Sequence, residues 1–362
     1  MIPIICSIWT TVGGTVRMDM FFGRDDSGDI WLRPLVKLKV DRQNLNALVD
    51  TNSPFTFFIW KKWYEDVLQK DCGSTVYGCY ECDPPPCESG PTTTFEFLDR
   101  MRVTTFLHTV SVSSGVKTAT GINVGLISNV TQGDRVGNAW ASLGLEGSVE
   151  DAPEYESIME QLLAQPRPQR LIESNSFSIY TKPGKYPTGE VILGGQDPTK
   201  YDGLLGYVRI VDDEEQFVQL LGVWIGKKQK GLMRLKAWAT LDSGTTHLCV
   251  PLSQKRTFLK LLRDSGKKRV AIEEESGHYR LSCAKAKYLP SITFHLRGLQ
   301  GEEVPLELPG LNIVTKDDWN RCYVDIFFHE VEQWILGSNA FIGYYYFYEA
   351  PESRIGFARA RA

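Results

Sequence analysis

Positions 31 to 40 alternate in character. Leu32, Pro34, Val36, Leu38 and Val40 fall on one side, and Trp31, Arg33, Leu35, Lys37 and Lys39 on the other. A period of two with one largely apolar face is the pattern of a half-buried β-strand. Short runs of the same kind, bounded by Gly, Pro, Asn and Asp, predict strands over 102–112, 122–127, 176–181, 190–193, 205–210, 216–225, 291–296 and 344–349. Helical spacing is scarce. It predicts one helix over 154–165, with Ile158, Leu162 and Leu163 on one face and Pro166 as its stop. A second is predicted over 251–264, from Phe258, Leu259, Leu261 and Leu262, with Gly266 just after. The acidic run Asp212–Glu215 and the basic run Lys227–Lys230 read as solvated turns. The apolar start, with Ile2, Ile4, Ile5 and Ile8, reads either as part of a short secretory signal or as a first strand.

One strand ending occurs twice. Ala47-Leu48-Val49-Asp50-Thr51-Asn52-Ser53 matches Ala239-Thr240-Leu241-Asp242-Ser243-Gly244-Thr245: an apolar strand, then Asp, a hydroxyl, a turn residue and a second hydroxyl. A second motif follows each copy. Ser142-Leu143-Gly144 ends 94 residues after Asp50, and Ile335-Leu336-Gly337 ends 95 residues after Asp242. Two motifs in the same order at nearly the same separation argue for two related halves.

The repeat suggests a chemistry. If the halves face each other, Asp50 and Asp242 meet. Two carboxylates about 3 Å apart cannot both ionise and share one proton. One then acts as base toward a bound water while the other donates to a carbonyl oxygen. No metal, cofactor or covalent intermediate is needed. Thr51, Ser53, Ser243 and Thr245 can bond the backbone or the carboxylates and fix their orientation. Asn52 and Gly244 supply the turn, Gly without steric cost and Asn because it tolerates left-handed φ better than most residues.

These segments resemble the pepsin-like (A1) family of aspartic peptidases. The resemblance rests on the two Asp motifs, on Val191-Ile192-Leu193-Gly194-Gly195, on Trp334-Ile335-Leu336-Gly337 and on Arg354-Ile355-Gly356-Phe357-Ala358, and spans residues 30 to 362. It implies a mostly β, bilobal fold of two related barrel-like lobes with a substrate cleft between them and a hairpin flap. The expected layout is an N-terminal segment over 1–29, an N-terminal lobe over 30–200 with Asp50 and the flap, and a C-terminal lobe over 201–362 with Asp242. It further implies a monomeric endopeptidase acting on peptides or proteins, and a second-lobe disulfide between Cys283 and Cys322. In this family a propeptide normally precedes the first lobe. Asp50 lies too near the start for a propeptide plus a signal, so the chain reads as mature, truncated or needing no propeptide.

Several positions depart from the family pattern. Asn52 replaces the usual Gly of the first motif, and Ser338 stands where the family usually has Asp. The flap stretch Phe97-Leu98-Asp99-Arg100-Met101 has Phe97 in place of Tyr, and no Gly occurs between Thr92 and Ser114, which predicts a stiffer hairpin. Phe57 stands where the family often has a Trp that bonds the flap Tyr, so both ends of that hydrogen bond are lost together. Phe57 and Phe217 are candidate subsite walls. The alternative function is a catalytically impaired relative that binds peptides or proteins in the same cleft.

Composition narrows the classes. With 42% hydrophobic and 23% charged residues, the chain is an ordinary globular protein and not a disordered one. Lys and Arg number 40 against 44 Asp and Glu, which lacks the basic excess of a nucleic-acid binder. No apolar run approaches the roughly 20 residues of a membrane span. Cys72, Cys79, Cys82 and Cys87 crowd together, either as a zinc knot or, by default, as a disulfide-tied loop. With the sequon Asn129-Val130-Thr131 they point to a secreted protein or one of the endomembrane or vacuolar lumen. His247, five residues after Asp242, reads as a surface or packing residue, Gly194-Gly195 is weak as a phosphate loop, and the run Tyr344–Tyr348 reads as core.

Overall fold

The computed structural model describes residues 14–24, 33–85, 87, 90–97, 100–114, 117–149, 152, 154–184, 187–211, 216–226 and 232–361. Trp31, Leu32, Leu98, Asp99, Cys6, the Met1–Trp9 stretch and the runs Asp212–Glu215 and Lys227–Lys230 lie outside them. The chain is mostly β and divides into two compact units, one built around Arg33–Ile179 and the other around Thr199–Ala362.

The first unit holds one large sheet. Its strands include, in order, Ser176–Thr181, Thr188–Leu193, Val16–Gly23, Arg33–Val40, Gln43–Asp50, Ser142–Gly144, Phe57–Ile59, Lys117–Gln132, Met101–Ser114 and Thr92–Glu96. The alternation at 33–40 has its expected consequence: Pro34, Val36, Leu38 and Val40 are buried, while Lys37 and Lys39 are exposed. Leu35, on the lysine side of the pattern, is buried as well, between Phe21 and Leu48 of the two flanking strands. The second unit holds a sheet ordered Glu303–Leu308, Ile292–Arg297, Val218–Ile225, Leu232–Leu241, Gln333–Leu336, Leu248–Pro251 and Ile326–His329. A separate small sheet pairs Ile272–Glu275, His278–Leu281, Cys322–Val324 and Val314–Lys316 in that order. Trp334 anchors the core of this unit, with the rings of Phe258 at 5.8 Å and Phe294 at 6.1 Å. Tyr344–Tyr348 is buried throughout, as a core strand.

The two halves repeat one topology. In the first, Gln43–Asp50 pairs in parallel with Ser142–Gly144, setting Val49 beside Leu143 and Asp50 beside Gly144. In the second, Leu232–Leu241 pairs in parallel with Gln333–Leu336, setting Thr240 beside Ile335 and Leu241 beside Leu336. The short motif strand then pairs antiparallel with the strand after the Asp loop, Phe57–Ile59 in one unit and Leu248–Pro251 in the other. That strand in turn pairs in parallel with Lys117–Gln132 or Ile326–His329.

The helices begin later than the sequence predicts. The first runs over Ile158–Ala164, because Tyr155 turns inward against Phe95 instead of starting a helix. The second runs over Lys255–Asp264 behind a single 3₁₀ turn, Leu252–Gln254. No strand was predicted over Val16–Gly23, yet it pairs with both Thr188–Leu193 and Arg33–Val40.

Candidate active site

Each motif places its aspartate at a strand end, in a loop closed by backbone hydrogen bonds. In the first unit Leu145 N–H donates to the Asp50 carbonyl at 2.8 Å, and Glu146 N–H to that of Ser53 at 3.2 Å. In the second, Asp242 N–H donates to the Leu336 carbonyl at 3.0 Å, and Ser338 N–H to that of Thr245 at 2.7 Å. The glycine of the second motif permits this close approach. A Cβ on Gly144 would lie 2.5 Å from the Ser53 carbonyl oxygen, and one on Gly337 would lie 2.6 Å from that of Thr245. Backbone cannot give way as a flexible side chain can, so the paired motifs of the sequence have a steric origin.

The carboxylates are buried and oriented. Asp50 and Asp242 each keep 8% of their surface exposed. Asn52 N–H donates to Asp50 Oδ1 at 3.2 Å. Asp242 Oδ1 accepts from Gly244 N–H at 2.7 Å and Thr245 N–H at 3.1 Å, and its Oδ2 accepts from the Thr245 hydroxyl at 2.6 Å. Burial pushes the Asp242 carboxyl above its ordinary range, and these three donors oppose the shift without cancelling it. Thr51, Ser53 and Ser243 are buried beside the aspartates in sequence, and the Ser53 hydroxyl accepts from Phe55 N–H at 3.3 Å.

Asn52 forms part of the turn, but it does not take a left-handed φ. The freedom expected of it there is therefore unused. Its side-chain Oδ1 is buried without a hydrogen-bond partner. An orphaned buried acceptor of this kind costs about 1–3 kcal/mol.

The aromatic positions separate into two environments. Phe57 is fully buried, with Trp140 at 5.5 Å and Phe97 at 6.4 Å, both edge to face. It backs these rings and presents no surface of its own to a ligand, against its reading as a subsite wall. Phe97 is half-buried and also meets Trp140 at 5.2 Å, so an apolar trio stands where a hydrogen-bonded pair was lost. Trp140 was not singled out in the sequence. Deeper in the hairpin, Phe95 stacks on Phe55 at 3.8 Å and meets Tyr155 at 4.8 Å. In the second unit, half-buried Phe217 stacks at 6.3 Å on exposed Trp238.

His247 does more than pack. Its Nδ1 is in close contact with Asp325 Oδ1, whose other oxygen accepts from Asn339 Nδ2 at 3.4 Å. Leu248 N–H donates to the Asp325 carbonyl at 3.3 Å. Asp325 thus ties the loop after Asp242 to the short helix after Gly337. The partners lie 78 residues apart in sequence, so no local signal marks them. Cys249 is a buried free thiol, pushed well up by burial and then by the charges of Asp242 and Asp325.

The clustered cysteines pair as Cys72–Cys79 and Cys82–Cys87. His108 lies near Cys82 and Cys87, but both of those sulfurs are committed to a disulfide and are not thiolate ligands. Cys283 pairs with Cys322.

Comparison with known proteins agrees with this duplicated design. The eukaryotic aspartyl protease family matches residues 43–360. The chain belongs to that family. It is 31% identical over 204 residues to cathepsin D of Clupea harengus, covering 53% of this chain and 48% of the relative. It is 26% identical over 215 residues to renin of Ovis aries, covering 56% and 50%. To cathepsin D of Chionodraco hamatus it is 28% identical over 238 residues, covering 62% and 54%. The chain thus spans about half the length of the curated relatives it matches.

Proposed function

We propose that this aspartyl protease family member is an endopeptidase of peptides or proteins, in which Asp50 and Asp242 share one proton and activate a water. The observation that carries the reading is the duplication: the same strand–loop–strand topology, with a buried and hydrogen-bonded carboxylate at the same point of each copy. The raised Asp242 carboxyl is suited to the acid role, since it holds its proton at a pH where an ordinary Asp has lost it. The remaining carboxylate then takes a proton from water as the water adds to the scissile carbonyl. Thr51, Ser53, Ser243 and Thr245 act as orienting groups, and Phe97 and Phe217 as apolar contacts for substrate side chains. Asp99 is proposed as a polar flap residue facing the substrate, through its place in the hairpin sequence. The reading needs no cofactor and a single copy of the chain.

The three disulfides among the described residues fit an oxidising compartment, and Asn129 of the sequon is exposed, so we place the protein in a secreted or lumenal setting. No helix among the described residues is long and apolar enough to cross a membrane.

The test is digestion of a denatured protein at about pH 3 to 6, with and without a transition-state peptide mimic. Cleavage is expected in the wild type and not in Asp50→Asn or Asp242→Asn. Full activity in either variant overturns the dyad. The orphaned Oδ1 of Asn52 favours a second reading, an impaired relative that binds peptides without cutting them. Asn52→Gly separates the two. An endopeptidase slowed by this residue gains turnover, whereas a binding protein still holds the mimic and still fails to cleave.

A further inference from the structure

The charge of this chain is unevenly spread. Between Leu252 and Pro290 there are ten Lys and Arg against four Asp and Glu, a net of +6 in a chain whose formal charge is −4. Much of the opposing charge is already engaged. Glu274 holds Lys255 at 2.9 Å, Glu275 holds Arg280 at 3.4 Å, and Asp264 holds Arg269 at 3.1 Å. Lys260, Lys267, Lys268, Lys285 and Lys287 are exposed, and among the described residues no carboxylate lies within ion-pair distance of them.

The fold gathers these cations. Arg263, Arg269 and Lys285 line a cavity of about 460 Å³ together with Val270, Ala271 and Ile272, and no carboxylate lines it. Arg263 is steadied there by donating Nη2 to the Ile272 carbonyl at 2.6 Å. The turn after the helix packs so closely that a Cβ on Gly266 would run into the Tyr288 carbonyl oxygen. Lys268 and Lys287 consequently converge on the Tyr288 ring, at 4.9 and 5.4 Å from its centre. The Cys283–Cys322 disulfide fixes the 3₁₀ helix Cys283–Tyr288 that carries Lys285 and Lys287. Arg256, Lys260 and Arg263 extend the row along one face of Lys255–Asp264, at spacings of four and three.

We propose that this surface binds a polyanionic glycan, a sugar chain with repeated sulfate or phosphate esters. One ester enters the cavity against Arg263 and Lys285, and its neighbours meet Lys268 and Lys287 on one side and Lys260 on the other. A planar guanidinium and mobile ammonium groups suit tetrahedral oxyanions. A single anion would engage one of these clusters, whereas a chain of them engages all. The surface fits other polyanions less well. The Tyr288 ring is half-buried and already holds two ammonium groups, with which a stacking nucleobase would compete. Between Leu252 and Pro290, Leu252 is the one large apolar side chain exposed among the described residues, a single side chain and not the apolar face that a bilayer takes up.

The test measures binding of the full chain to a fluorescent heparin-derived sulfated oligosaccharide by anisotropy. Binding is expected at low salt, weakening at least about tenfold from about 50 to about 200 mM salt, as counterion release requires. Lys268→Gln/Lys285→Gln/Lys287→Gln alters only exposed side chains and is expected to weaken binding about tenfold or more with an unchanged far-ultraviolet circular dichroism spectrum and urea midpoint. Absence of binding at low salt overturns the proposal, as does equal binding by this variant. Tighter binding to phosphatidylserine vesicles or to single-stranded DNA also overturns it. Peptide cleavage by the variant is not part of the readout, so the proposal stands or falls apart from the proteolytic reading.

Discussion

Asp242 lies between two opposing forces. Burial favours its neutral form, and donors from Gly244 and Thr245 favour its charged form, with burial the stronger. The folded state therefore holds a proton at pH values where the unfolded chain, with an Asp near about 3.9, has released it. Stability contributed by this group is complete below the unfolded value and falls as pH rises through the raised folded value. Asp242→Asn carries no charge, and its amide can still accept from Gly244 N–H while donating to the Thr245 hydroxyl. We predict that its melting temperature, followed from about pH 3 to 7, gains on the wild type as pH rises. Parallel curves across that range would show that the ionisation of Asp242 costs the fold nothing. At this scale the sequence was informative about identity and less so about surroundings. The two aspartates and their hydroxyls could be named from the motifs, but the Asp325 contact of His247 and the full burial of Phe57 depend on chain segments far away in sequence.

At the scale of elements, the duplicated motif was legible because it is local: an apolar strand, an Asp, and a Gly about 95 residues on. The strands over 176–181 and 344–349 agree with observation to the residue, since each is a continuous buried run with turn residues at both ends. Val16–Gly23 escaped notice although Val16, Met18 and Met20 alternate inward, because its charged Arg17 and Asp19 break the apolar run. What the motif alone could not convey is why the glycine is there. Gly144 and Gly337 lie against backbone, so a methyl group has no soft neighbour to displace. We predict that Gly144→Ala or Gly337→Ala costs at least about 2 kcal/mol in urea unfolding. Gly90→Ala, whose added Cβ would meet nothing within 4 Å, should fall within about 0.5 kcal/mol of the wild type. Equal stability of all three variants would remove the steric account of the repeat.

At the scale of the whole molecule, the question is whether one chain supplies both halves of the proposed dyad. Each compact unit carries one complete copy of the strand–loop topology and one motif aspartate. Two arrangements satisfy this duplication: the units of one chain cooperate, or units from two chains do. The sequence favours the first. The motifs are not interchangeable, since Asn52 and Gly244 differ at the turn and Phe55 and His247 differ five residues after each Asp, so pairing like with like would give two unlike sites. Mixing separates the cases. If a single chain makes the site, Asp50→Asn and Asp242→Asn remain inactive when refolded together, because every chain lacks one carboxylate. If like units from two chains pair, Asp50→Asn chains alone retain an intact Asp242–Asp242 site and cleave substrate unmixed, and Asp242→Asn chains do so through Asp50. If unlike units from two chains pair, each variant is inactive alone and the mixture regains activity on the order of a quarter to a half of wild type, since some pairs then bring an intact Asp50 unit to an intact Asp242 unit. We expect no cleavage from either variant and none from the mixture, measured beside a refolded wild-type control.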